Sequence, residues 1–124
     1  MSGPSEHRAR YYKEPHHAVL LRARDLLIRP ERWTKGALAR DAQGVPCNVH
    51  DESARSFDLF GAIYRVSGNS SQALDISELM ARKVNRVYAS EWNDDPRTTH
   101  AKLIQEIEEL RVGLMPRRAR KKKR

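Results

Sequence analysis

Two stretches hold the residues whose types and spacing could do chemistry. Arg40 and Asp41 lie in WTKGALARDAQGVPC, and Asn93, Asp94, Arg97 and His100 lie in SEWNDDPRTTH. A histidine near a carboxylate suits general acid–base work when each is within hydrogen-bond reach of the proton it moves. If the stretches meet in space, Arg40, Asp41, Asn93, Asp94 and His100 form one polar cluster, with Arg97 beside it. The same residues have a plainer use. Asn93, Asp94 and Asp95 precede a helical pattern, where short polar side chains accept from unbonded amides and suit the positive end of the helix dipole.

Nothing else in the chain completes a catalytic apparatus. There is no glycine-rich phosphate loop and no His-Glu-x-x-His. Cys47 is the single cysteine, which excludes an intramolecular disulfide and a Cys-rich zinc site. Its nearest base, His50, is three residues on in a loop-like run. His16 and His17 are adjacent, so they cannot share one helical face around a metal. The balance leans against an enzyme, and no cofactor or metal is implied.

Charge points elsewhere. The net charge is +8, yet seven of the 24 basic residues lie in the last eight positions, RRARKKKR; the other 17 face 16 acids, for a net of +1. Arg117, Arg118, Arg120, Lys121, Lys122, Lys123 and Arg124 form a phosphate-binding candidate. A basic arm of this kind binds polyanions through counterion release. Without aromatics it should grip the backbone of a nucleic acid with no sequence preference. No stretch is apolar and long enough to span a bilayer, because VLLRARDLLI is cut by Arg22, Arg24 and Asp25. No secretory h-region opens the chain, so the expected setting is cytoplasmic, away from membranes.

The elements that must position these residues read as mainly α. The expectation is a compact four-helix domain with a small irregular β-hairpin between helices 1 and 2. Residues 1–14 read as a flexible N-terminal arm, 15–114 as the helical domain and 115–124 as a disordered basic tail. Helix 1 should span 15–29, between Pro15 and Pro30, with Val19, Leu20, Ala23, Leu26 and Leu27 as its buried stripe. Trp33 reads as a core plug at the following corner. Asp41-Ala42-Gln43-Gly44 is a turn, and Pro46 places the returning strand at an edge. Helix 2 should be capped by Asp51 or Ser53 and stopped by Gly68. Helix 3 should run over 72–89. Helix 4 should run over 98–112, capped by Thr98 or Thr99 and stopped by Gly113.

Three separated strings share one resemblance. They are Trp33-Thr34-x-Gly36-Ala37-x-Ala39-Arg40-Asp41-x-x-Gly44-x-Pro46, then Phe57-Asp58-x-x-Gly61-Ala62-Ile63-x-Arg65, then Trp92-Asn93-Asp94-x-x-x-Thr98-x-x-Ala101. Together they resemble a family of small bacterial and phage-encoded proteins of unknown function, over roughly residues 18–110. The resemblance implies a bacterial or phage setting and transfers no activity. The basic tail lies outside it.

Two functions therefore stand. The first is a non-enzymatic accessory protein that associates with nucleic acid or a nucleoprotein complex through the tail. The alternative is a protein-binding module, such as a phage-encoded modulator of a host protein, acting through the near-neutral domain with Trp33, Trp92 or Tyr64 as anchors.

Overall fold

Helix α1, His16–Leu27, begins where its pattern starts. Pro15 is the N-cap, and its carbonyl accepts from the amides of Ala18 and Val19 at 3.1 and 3.2 Å. The structure, a computed structural model, describes residues 12–117. Val19, Leu20, Ala23 and Leu27 are buried, as a three-and-four spacing dictates. A 3-10 turn at Pro30–Arg32 then turns the chain into Trp33.

A two-stranded antiparallel ladder follows. β1, Ala39–Arg40, pairs with β2, Ser56–Phe57, with Ala39 opposite Phe57 and Arg40 opposite Ser56. β1 bonds on both edges. On one side the Asp41 amide donates to Val45 O at 2.9 Å and the Cys47 amide to Ala39 O at 3.0 Å; on the other, Arg55 N donates to Arg40 O at 2.8 Å and Asp58 N to Leu38 O at 3.1 Å. Pro46, which has no amide to donate, bridges Arg40 from the outer edge. Gly44 supplies the positive φ of the turn, +82°. The hairpin thus lies between the first two long helices, but its main ladder uses Ser56–Phe57, where a helix capped by Asp51 or Ser53 is expected from the sequence.

That pairing corrects the start of α2, Leu59–Ser67. Asp58 is the cap, accepting the Gly61 amide at 2.6 Å. Asp51 and Ser53 belong to an earlier turn, where the Asp51 carboxylate accepts from Ser53 N and Oγ, both at 2.9 Å. α2 ends at Gly68, φ +63°, in the left-handed region.

Among the described residues the α-helices number five rather than four. α3, Ser70–Lys83, opens on an Asn69 cap and stops well before residue 89. Asn85 takes a φ of +58°, Asn85 N donates to Arg82 O at 3.2 Å and Arg86 N to Ala81 O at 2.9 Å. This is a left-handed helix stop with asparagine in the usual glycine position. The apolar residues beyond it, Val87 and Tyr88, are exposed, and a separate short helix α4, Ala89–Asp94, takes over. α5, His100–Leu114, is capped by Thr99, not Thr98, and runs through Gly113 instead of stopping there.

α1 packs on α5 and α2; α2 packs on α3; α4 rests on α2 and α3. Leu20, Leu27, Phe57, Ile63, Ile76 and Ile107 are fully buried between them. Each such side chain contributes about 1.5–3 kcal/mol by leaving water. Gly61 lets the hairpin approach: a Cβ there would stand 2.0 Å from Leu38 O. No described helix is long and apolar enough to cross a membrane.

Candidate functional site

Asn93 is the centre of the site. It is 0% exposed at the end of α4. Its Oδ1 accepts from Trp33 Nε1 at 2.7 Å and from Leu59 N at 3.0 Å. Its Nδ2 donates to Thr34 O at 3.2 Å and to Asp94 Oδ1 at 2.9 Å. Both acceptor positions and both amide hydrogens are used, which is the full capacity of the side chain. One residue therefore ties α4 to the corner after α1 and to the first turn of α2.

The neighbours extend the same pattern. Asp94 Oδ1 also accepts the Gly36 amide at 3.0 Å. Lys35 Nζ donates to Asp95 O at 2.6 Å and Thr98 O at 2.9 Å while sitting 5.0 Å from the Trp33 ring centroid. Arg40 donates to Thr34 Oγ1 at 2.9 Å, Lys35 O at 3.0 Å and Gly44 O at 3.1 Å. His100 Nε2 is 2.7 Å from Leu27 O, so it carries the proton and donates; its ring lies 6.0 Å from that of Trp33.

Four of the five cluster residues, Arg40, Asn93, Asp94 and His100, are thus gathered around residues 33–36. Asp41 is not. Its Oδ1 accepts from Gln43 N and Val45 N, both at 2.9 Å, and closes its own turn. His100 makes no hydrogen bond to Asp94 or Asp41. Arg97 lies at the rim, paired with Asp95, with its side chain 87% exposed. The bonds of the hub run mainly to backbone amides and carbonyls. Such an arrangement fixes chain segments against each other rather than presenting an acid and a base to a substrate.

Sequence reasoning missed Asp58. A helix capped by Asp51 or Ser53 passes through it, although the Asp-x-x-Gly spacing at the start of an apolar run is the available signal. Asp58 is 5% exposed, and desolvation pushes its carboxyl up to about 7; the Gly61 amide pulls it down, and the charge of Asp94 pushes it up further. Asp95 moves the opposite way. Hydrogen bonds from Arg97 and then Arg86 hold it well below the usual carboxylate range. Asp94 and Asp95 line a shallow, open depression with Arg86, Glu91, Pro96 and Arg97.

A second polar group ties down the beginning of the described chain. The Tyr12 hydroxyl donates to Asp75 Oδ2 at 2.7 Å, and Gln72 Nε2 donates to Glu14 O at 2.8 Å and contacts His16 Nδ1 at 3.2 Å. Burial lowers the pKa of His16, partly opposed by Asp75. Residues 12–14 are therefore held against α1 and α3, and the rest of the expected arm, 1–11, lies outside the described residues.

Of the phosphate-binding candidates, Arg117 is exposed at the end of the described chain. Arg118, Arg120, Lys121, Lys122, Lys123 and Arg124 lie outside the described residues. Among the described residues no group of three or more His, Cys, Asp or Glu is placed to hold a metal ion.

Residues 12–110 match a family of unknown function, DUF6197, and the chain belongs to it. No curated protein and no solved structure matches the chain. The matched region contains the whole Asn93 hub and stops before the basic tail.

Proposed function

We propose that the chain is a non-enzymatic accessory protein that associates with nucleic acid or a nucleoprotein complex. Arg117, Arg118, Arg120, Lys121, Lys122, Lys123 and Arg124 grip phosphates, and the helical body is the platform that carries them. The observation that supports this most is that many of the body's cations are committed to internal partners. Lys35, Arg40 and Arg65 donate to backbone carbonyls. Arg24, Lys83, Arg86, Lys102 and Arg111 are paired with carboxylates. A cation committed to an internal partner has little left to give a phosphate. The seven basic residues within 117–124 have no acid among them to oppose them.

The experiment is a duplex-binding titration of the full chain against a chain ending at Leu114, at one moderate salt concentration. The full chain is expected to bind at least about 100-fold more tightly, as a tail neutralising several phosphates would. Equal affinities would overturn the reading.

A second reading has one observation in its favour. Val87 is 78% and Tyr88 65% exposed beside each other, an arrangement suited to anchoring a protein partner. The anchors first expected are less free: Trp92 is buried, Trp33 is bonded to Asn93, and Tyr64 is half-buried with its ring edge against His50.

A further inference from the structure

One amide side chain in the first turn of α3 is bonded both to the segment before α1 and to the first residue of α1. Gln72 is 3% exposed, and its backbone amide donates to the Asn69 cap at 3.0 Å, which fixes the start of α3. Its Nε2 donates to Glu14 O at 2.8 Å and lies 3.2 Å from His16 Nδ1. A carbonyl only accepts, so the group facing Glu14 is the NH2 of Gln72. The second hydrogen of that NH2 is the one that reaches His16, and Nδ1 must accept it. His16 is therefore neutral in this arrangement, with its proton on Nε2. Among the described residues, the charged and titratable groups around His16 are Asp75 from α3, Tyr12 and Glu14 from the segment before α1, and His17 beside it in α1. The Tyr12 hydroxyl donates to Asp75 Oδ2 at 2.7 Å, and the Tyr12 ring lies 5.6 Å from the imidazole. The Glu14 carboxylate is paired with Arg22 of α1.

We propose that His16 and Gln72 form a proton-sensitive latch on residues 12–14. While His16 is neutral, the Gln72 amide serves Glu14 O and His16 Nδ1 together, and the segment is held on α1 and α3. A proton on Nδ1 sets two donors face to face. The amide can turn its Oε1 towards the imidazolium, but Glu14 O then loses its donor. Gln72 cannot satisfy both partners in that state, and a buried polar group left without one is costly. Burial disfavours the charged imidazole and holds His16 below its ordinary value of 6.5, against the charge of Asp75, which raises it. What the latch adds to stability is therefore present above 6.5 and is lost as pH falls through the lowered value. Residues 12–14 are where positions 1–11, with Arg8 and Arg10 among them, join the body. Opening the latch changes how that basic stretch is attached. The inference rests on neither the C-terminal tail nor the Asn93 hub.

The test is an NMR titration of the full chain from about pH 8 down to about pH 4.5, across the range in which histidine changes charge. It follows the His16 ring nitrogens, the Gln72 side-chain amide, and the backbone order of Lys13 and Glu14 by heteronuclear NOE. At the alkaline end His16 is expected as the Nε2–H tautomer. On acidification the Gln72 amide should shift and the NOE of Lys13 and Glu14 should fall, both with the midpoint of His16. His16→Asn keeps an acceptor, its Oδ1, near the place of Nδ1 and does not titrate, so 12–14 should stay ordered across the whole range. An Nδ1–H tautomer at the alkaline end would overturn the latch. So would order at Lys13 and Glu14 that survives protonation of His16, or a loss of order in His16→Asn at the wild-type midpoint.

Discussion

The hub around Asn93 and the ion-pair seam along α5 are both polar, yet they hold the molecule in different ways. The hub is neutral at its centre, fully buried and bonded largely to backbone atoms. The seam is charged. Arg24 and Arg111 share Glu108, and Lys83 and Lys102 share Glu106, with several of these side chains a quarter to a half exposed. A hub bond forms only when two distant stretches of backbone are in register, so it specifies the fold. An ion pair between long side chains tolerates movement, is screened by salt and adds little per pair. The positional information of the body therefore lies more in the Asn93 amide and its bonds to Trp33, Thr34 and Leu59 than in the ion pairs along α5.

Disturbing the hub should have the largest effects. Gly61→Ala would force a methyl to within 2.0 Å of Leu38 O, so hairpin and α2 must separate. A loss of about 3 kcal/mol or more is expected in urea unfolding, at the upper end for single substitutions. Asn93→Ala leaves Trp33 Nε1, Leu59 N and Thr34 O without their partner. The expected loss is about 2–4 kcal/mol, since several buried groups go unsatisfied at once. If either variant unfolds with the wild-type midpoint, the contrast between hub and seam collapses.

Asp58 sharpens the contrast through pH. Its folded pKa is raised to about 7 from 3.8, so the folded state holds the proton more tightly than the unfolded one. That stabilisation is full below the unfolded value and is lost as pH rises towards 7. Asp58→Asn should remove the decline, leaving the variant more stable than wild type at pH 8 by about 1–3 kcal/mol. Glu108 in the seam has the opposite sign. Hydrogen bonding from Arg111 foremost lowers it to about 2, so its contribution is present above its ordinary pKa of 4.5 and disappears as pH falls through 2. Glu108→Ala should cost about 1–2 kcal/mol at pH 7, because Glu108 is itself partly exposed but the buried Arg111 loses its carboxylate. Urea midpoints measured across pH 3–9 separate the two slopes.

Much of this arrangement was legible in the residues. Pro15, Pro30, the Asp41–Gly44 turn and the stripes of the long helices follow from local chemistry. Two long-range effects were not. Asn85 stopped α3 because a left-handed asparagine could be satisfied by the helix's own carbonyls, whereas the apolar spacing simply continued past it. Ser56 and Phe57 were drawn into a ladder by β1, which moved the cap from Asp51 or Ser53 to Asp58. The cluster Arg40, Asn93, Asp94 and His100 was found by residue type, but type alone gave no sign that its partners would be backbone. Asp41 was included through its neighbour Arg40, and its side chain serves its own turn.

The smallest effect expected on stability is that of removing the tail, and it should be the largest on binding. The direct measurement is the salt dependence of duplex affinity for the full chain and the chain ending at Leu114, alongside their urea midpoints. With seven phosphates neutralised, the full chain should show a log–log slope of about −6 and the shortened chain a slope near zero, at unchanged stability. Equal slopes would place the polyanion contact on the body and contradict the division between a scaffold locked by Asn93 and a grip at its C-terminal end.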